Sequence, residues 1–236
     1  MKDVSTTSYA LEFRGVVAGY GDTMVLRGVS GEVGPGQVIG VLGRNGVGKT
    51  TLMRALTGTI PLSSGDVIWN GESIAGVAAH ARRKLGISYA PQERMVFDDL
   101  SVADNLTIGF PDRGFARFES ALKMFPRIKE RLAQQAGKLS GGEKKLLSVC
   151  RVFSERSALT LIDEPSEGVA QENLERMAEL VRQRTAEGAS FVIVEQNISF
   201  LSSLADHFIA LDHGETVLRA AASDVSKESL EAVLTV

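Results

Sequence analysis

Cysteine is almost absent from this chain of 236 residues, and Cys150 is its one example. A single cysteine excludes an internal disulfide, and the apolar neighbours Leu147, Val149 and Val152 predict a packed thiol. Long hydrophobic runs are missing too, since none approaches the roughly 20 residues that a membrane-spanning helix needs. The opening residues MKDVSTTSYALEF lack the apolar centre of a secretory signal, so the chain is expected to stay in the cytoplasm. Neither sign of charge dominates: 26 Lys and Arg stand against 29 Asp and Glu, a net charge of -3. That balance supplies no broad basic face for nucleic acid. Internal repeats, low-complexity segments and long linkers are absent as well. With 44% hydrophobic residues, the chain is long enough to bury one substantial core, read as a single domain over residues 1–236 with a subdomain inside it.

Glycine, in contrast, is concentrated where it carries chemistry. Gly43, Arg44, Asn45, Gly46, Val47, Gly48, Lys49 and Thr50 form a phosphate-binding loop between the apolar run Val38 to Leu42 and a helix-like stretch, Thr51 to Leu56. Closing a loop around a triphosphate takes glycines at unusual backbone angles and amides aimed inward. It also takes a lysine for the outer phosphates and a hydroxyl for magnesium. Gly43, Gly46, Gly48, Lys49 and Thr50 supply these parts, and Thr51 continues the segment into the helix.

Around this loop the first 75 residues read as a strand-rich lobe. Tyr9 to Val17 and Val25 to Val33 have β patterning, and the run Val67 to Ile74 carries Asn70-Gly71, a pair suited to a tight hairpin turn. Trp69 is expected to pack in that hairpin. A short helix near Val77 to Lys84 leads to Gly86 to Ala90 and then Pro91-Gln92. Ser101 can cap the next helix, with Asp104 three residues on. Phe115 to Ala136 is helical in period, with Leu122, Phe125, Ile128 and Leu132 as a stripe that Pro126 kinks; the stripe reads as core or as one wall of a docking groove. Residues 93–138 form the helical subdomain in this reading. From Leu139 onward, helices and strands alternate, which implies a parallel sheet with crossover helices.

Two further motifs follow. Leu159-Thr-Leu-Ile-Asp163-Glu164-Pro165 is a buried-type strand ending in adjacent carboxylates, and alternation along a strand sends the two to opposite sides. Asp163 then holds magnesium, while Glu164 orients or deprotonates the water that attacks the γ-phosphate. Leu139-Ser140-Gly141-Gly142-Glu143 opens a helix with a hydroxyl and exposed amides, which serve either as a cap or as an anion site.

The phosphate loop, Gln92, the LSGGE segment and LTLIDEP together resemble the ATP-binding cassette ATPases over nearly the whole chain. The resemblance implies an α/β P-loop NTPase fold: a mainly parallel sheet with flanking helices, an N-terminal antiparallel β lobe and a helical subdomain. It implies ATP and Mg2+ as cofactors. It also implies a head-to-tail dimer in which ATP lies between the phosphate loop of one subunit and Ser140, Gly141, Gly142 and Glu143 of the other. Tyr20 falls where the family stacks an aromatic on adenine. Gln92 falls where a glutamine reaches magnesium and the attacking water while sensing a membrane partner.

Two departures narrow the resemblance. The family's usual histidine after the next strand is replaced by Gln196, and none of His80, His207 and His213 fits that place. A glutamine amide can bond the γ-phosphate but cannot carry a proton near neutral pH, so the mechanism leans on Glu164 as base. Ala170 stands where an aspartate is usual. Both departures, with Phe125-Pro-Arg-Ile-Lys-Glu-Arg131, are similar to the importer ATPases for branched-chain amino acids and for urea or short amides. Lys144-Lys145 after LSGGE is less typical. The expected partners are a second cassette subunit, the same or different, integral permease subunits, and through them an external substrate-binding protein. The expected location is the cytoplasmic face of the inner membrane, with no nucleic-acid partner. A cassette ATPase for assembly or nucleic-acid work and a non-hydrolysing regulator are the competing classes.

Overall fold

β-Branched and aliphatic residues dominate the central strands, and each strand's burial follows the sheet it enters. The structure, a computed structural model, describes residues 10–93 and 95–235. Tyr9, where the sequence starts its first predicted strand, lies outside the described residues. The chain begins with β1 (Leu11–Tyr20), β2 (Thr23–Val33), β3 (Val38–Leu42), α1 (Lys49–Leu56), β4 (Ser64–Trp69) and β5 (Glu72–Ser73). There follow α2 (Ala79–Lys84), β6 (Ile87–Ala90), α3 (Val102–Thr107), α4 (Glu119–Met124), α5 (Pro126–Glu130) and α6 (Gly141–Ser154). The last third holds β7 (Leu159–Asp163), α7 (Gln171–Ala186), β8 (Ser190–Glu195), α8 (Ile198–Ser202), β9 (His207–Asp212), β10 (Glu215–Ala221) and α9 (Lys227–Thr235).

Two sheets result. An antiparallel sheet has the order β2-β1-β4-β5, and a mixed sheet has the order β10-β9-β3-β8-β7-β6. In the second, β3 runs parallel to β8 and β9, and β7 parallel to β8 and β6, while β10 closes the edge antiparallel to β9. Every residue of β3, β7 and β8 is buried, as expected of parallel strands covered on both faces. The period of two divides these strands between two cores. Ile39, Val41, Val192 and Val194 pack with Phe13, Leu26 and Leu52 toward the antiparallel sheet and α1. Val38, Leu42, Phe191 and Ile193 pack with Leu147, Val181 and Leu201 toward α6, α7 and α8.

The local turns follow the sequence closely. Asn70 and Gly71 both take positive φ, 50° and 84°, as a two-residue hairpin turn that matches strand twist requires. Trp69 is buried beside it and donates Nε1–H to the Leu85 carbonyl at 3.1 Å. Ser101 caps α3, its hydroxyl oxygen accepting from the Asp104 amide at 3.0 Å. Cys150 is fully buried, and burial pushes its thiol well above the ordinary range.

The stretch Phe115 to Ala136 departs from the predicted kinked helix. It breaks into a 3-10 turn at Ala116–Phe118, then α4 and α5. Phe125, between them, has φ -121° and ψ 74°, because the proline ring at Pro126 keeps the preceding residue out of the α region. The apolar stripe survives the break: Leu122, Phe125 and Ile128 are buried in the core with α6, and Leu132 is half-buried against it.

Candidate functional site

The end of β3 delivers the chain into the phosphate loop. Gly46 and Gly48 have φ of 84° and 112°, and Gly48 sits at the N-cap of α1, where a side chain would be strained. Lys49, the first residue of α1, turns back over this loop. Its ammonium donates to the carbonyls of Gly43 at 2.7 Å and Arg44 at 3.0 Å, and it lies 3.1 Å from Glu164 Oε1.

Asp163 ends β7 in a buried position. The Tyr89 hydroxyl donates to its Oδ2 at 3.2 Å, and the Thr50 hydroxyl lies nearby. Desolvation pushes its carboxyl up to about 6, against the opposing pull of the two hydroxyls. Its other oxygen, Oδ1, is buried without a hydrogen-bond partner among the described residues. A buried orphan carboxylate oxygen beside a threonine hydroxyl is a hard donor pair of the kind a divalent cation takes.

Glu164 corrects one expectation. It is not a strand residue opposed to Asp163 by alternation, because β7 ends at Asp163 and Glu164 adopts a left-handed backbone with φ 48°. That turn aims its side chain at three partners. Oε1 faces Lys49 and accepts from Gln196 Nε2 at 3.2 Å, and Oε2 accepts from Gln92 Nε2 at 2.7 Å. Gln196 Nε2 also donates to Asn45 Oδ1 at 2.7 Å, which ties the loop after β8 to the phosphate loop. The carboxylate therefore sits among donors from three segments, poised to hold or accept a proton from a small molecule brought beside it.

Gln92 follows β6 and lines a 690 Å³ cleft with Thr50, Arg54, Tyr89 and Pro91. Tyr20, at the end of β1, is 43% exposed. Its hydroxyl accepts from Arg54 Nη1 at 2.9 Å, and the guanidinium lies 5.8 Å from the ring, so Tyr20 is tied to the helix that begins with Lys49.

Ser140, Gly142 and Glu143 line a different cleft, of 320 Å³, with Phe125, Arg127, Gly168, Ala170 and Arg176. Ser140 and Glu143 form a reciprocal capping box, the Ser140 amide reaching Glu143 Oε2 at 3.0 Å and the Glu143 amide reaching Ser140 Oγ at 3.3 Å. Gly142 admits no side chain, since a Cβ there would stand 2.4 Å from the Gly168 carbonyl oxygen. Ala170 is the N-cap of α7 and offers it no side-chain bond. Asn45, Lys49, Thr50, Gln92, Asp163, Glu164 and Gln196 thus come together, and Ser140 to Glu143 stand apart from them.

Two charged residues of this region were given no role from the sequence. Glu195, buried at the end of β8, accepts the amides of Ser166 at 2.6 Å, Gln196 at 2.9 Å and Asn197 at 3.1 Å; burial holds its carboxyl above the ordinary range. Lys145 is buried on α6 and donates to the Glu164 carbonyl at 2.7 Å and to Glu167 Oε2 at 3.0 Å. The signal for it was present: Lys145 shares a helix face with Ser148, Val149 and Val152, where a charge needs a partner.

A family model described as ABC transporter matches residues 26–167. The chain belongs to the ABC transporter family. The high-affinity branched-chain amino acid transport ATP-binding protein BraG of Pseudomonas aeruginosa is 35% identical, over 88% of this chain and 91% of its own. The probable branched-chain amino acid transport ATP-binding protein LivF of Archaeoglobus fulgidus is 29% identical, over 88% and 90%. A solved ADP conformation of an ATP-binding cassette of an ABC transporter superposes with a TM-score of 0.79 at 25% identity, covering 97% of this chain and 96% of that one. The fold is the P-loop cassette fold, and this ABC-family chain is a nucleotide-binding ATPase subunit. Among the described residues, no helix is long and apolar enough to cross a membrane.

Proposed function

We propose that this ABC subunit hydrolyses ATP to drive uptake of branched-chain amino acids or related small amides through a separate permease. The observation that carries hydrolysis is the Glu164 carboxylate, held 3.1 Å from Lys49, 2.7 Å from Gln92 and 3.2 Å from Gln196. In this arrangement Glu164 takes the proton of the attacking water, while Gln92 and Gln196 fix that water and the γ-phosphate by their amides. Residues 43–51 hold the triphosphate and Tyr20 the adenine. Magnesium would be held by Thr50, Asp163 and Gln92, with the orphan Asp163 Oδ1 as the best-fitting donor. When bound it neutralises charge on the outer phosphates. Ser140 to Glu143 serve the nucleotide of a second cassette, so each site needs two subunits, alike or different.

The substrate class rests on the relatives BraG and LivF, whose names specify branched-chain amino acid transport. Residues 1–236 act as one nucleotide-binding domain, with 93–138 as its helical subdomain. The permease docks at the cytoplasmic face of the membrane, in a 440 Å³ cleft lined by Arg83, Tyr89, Phe97 and Ile108, where Phe97 is 54% and Ile108 49% exposed. An external binding protein is reached only through that permease. Gentle detergent extraction of the tagged chain from its native cells tests this reading. Co-purification of integral permease chains is the expected outcome. Recovery with soluble partners alone would overturn it in favour of an assembly or nucleic-acid ATPase.

A further inference from the structure

Lys145 is a charge in a place where charges are costly. It lies one turn inside α6, on a face otherwise made of Ser148, Val149 and Val152, and its side chain is buried. A buried ammonium persists only where acceptors replace its hydration. Both acceptors lie on one short segment: the Glu164 carbonyl at 2.7 Å and Glu167 Oε2 at 3.0 Å. This ion pair holds Glu167 below the ordinary carboxylate range. Its geometry closes a circuit. Gln92 Nε2 reaches Glu167 Oε2 at 3.4 Å and Glu164 Oε2 at 2.7 Å, so Lys145 touches Glu164 through its backbone and, by way of Glu167 and Gln92, through its carboxylate.

The backbone contact falls where the chain needs it. Glu164 is a non-glycine residue in the left-handed region, a conformation that surrounding contacts must maintain. Its amide is held by Val194 at 2.9 Å and its carbonyl by Lys145, so opposite sides of the turn are fixed by β8 and α6. The helix that fixes the carbonyl is the one that opens with Ser140 to Glu143.

We propose that Lys145, with Glu167, is a positioning pair for the hydrolytic step: it holds the Glu164 turn and Gln92 in register with α6. Movement of α6 then reaches the Glu164 backbone of its own subunit directly and the carboxylate through Glu167 and Gln92. The inference rests on the reading of Glu164 as base.

The test measures steady-state ATP hydrolysis by the full chain, as purified with its partners, for Lys145→Met, Lys145→Gln, Glu167→Gln, the double variant Lys145→Met/Glu167→Gln, and Glu164→Gln. Lys145→Met is expected to lower kcat about tenfold, with KM for ATP changed by less than about twofold. Lys145→Gln, which keeps a donor, should recover part of the loss. The double variant should be little slower than Lys145→Met, as expected of groups that act as a unit. If Lys145→Met does not fold, Glu167→Gln carries the test, because that side chain is 66% exposed. Wild-type kcat in the folded Lys145→Met or Glu167→Gln chain, or a loss confined to KM, would overturn the proposal. If Glu164→Gln itself retains full activity, the reading of the base has failed instead.

Discussion

The phosphate loop and the start of α6 offer the same kinds of group, glycine amides, a hydroxyl and a charged side chain, yet they use them in opposite ways. Around the loop, polar groups reach outward to other segments: Lys49 and Gln92 to Glu164, Gln196 to both Glu164 and Asn45. At the start of α6 they close mainly on themselves, because Ser140 and Glu143 satisfy each other's amides, with Arg131 added to Glu143 at 3.3 Å. One region is a polar cluster assembled from distant parts of a single chain. The other is a finished, locally stable surface whose cleft is lined by Arg127 and Arg176. In the two-subunit site proposed above, each copy would preassemble the Glu164 half and present the α6 half ready-made.

Substitutions in each region test that contrast. The largest effect is expected at Glu164→Gln, which should lower phosphate release by at least about 100-fold while equilibrium ATP binding persists. Equal rates in wild type and variant would remove the Glu164 half from the comparison. Lys49→Ala should weaken ATP binding by about tenfold or more, read by nucleotide titration, because it deletes the cation at the loop. Unchanged affinity would mean the loop does not hold the outer phosphates.

Asp163 tests how strongly the Glu164 half is strained before any ligand arrives. Its carboxyl titrates at about 6, above the ordinary value of about 3.9. Between these values the folded chain binds more protons than the unfolded one, so this group's contribution to stability falls as pH rises through that window. Above pH 6 the nucleotide-free Asp163→Asn chain should therefore melt at a higher temperature than wild type, and the gap should close toward pH 4. A gap that widens on acidification would contradict the desolvated carboxylate. The smallest effect belongs to the other half: Ser140→Ala should cost about 1 kcal/mol of stability in denaturant titration, the value of an ordinary N-cap. No loss at all would mean that Ser140 is not acting as a cap there.

The same contrast explains what was legible in the sequence. Gly46, Gly48 and the Asn70-Gly71 turn announce themselves because only certain residues tolerate their backbone angles. The division of β3 and β8 between two cores follows from a period of two. Pro126 was visible as a disturbance, but its strength was not, since the rest of the stripe kept helical spacing while Phe125 left the helix. The left-handed turn at Glu164 carries no local signature. Glu195 looks like an ordinary strand-end charge in a linear reading, and the apolar helix face of Lys145 signals that it needs a partner without saying which; only tertiary packing brings Glu195 against the Ser166 amide and Lys145 against Glu167, so their roles arise between segments rather than within one.

Cys150 has a practical consequence. Because its sulfur is fully enclosed and its thiolate form is suppressed by burial, alkylating dyes and spin labels will pass it by in the folded chain. A cysteine introduced at Tyr20 or Phe97, both exposed, would be the one reactive handle. Fluorescence or electron-spin rulers between two copies of this subunit can then be built on the natural sequence, leaving its core unaltered.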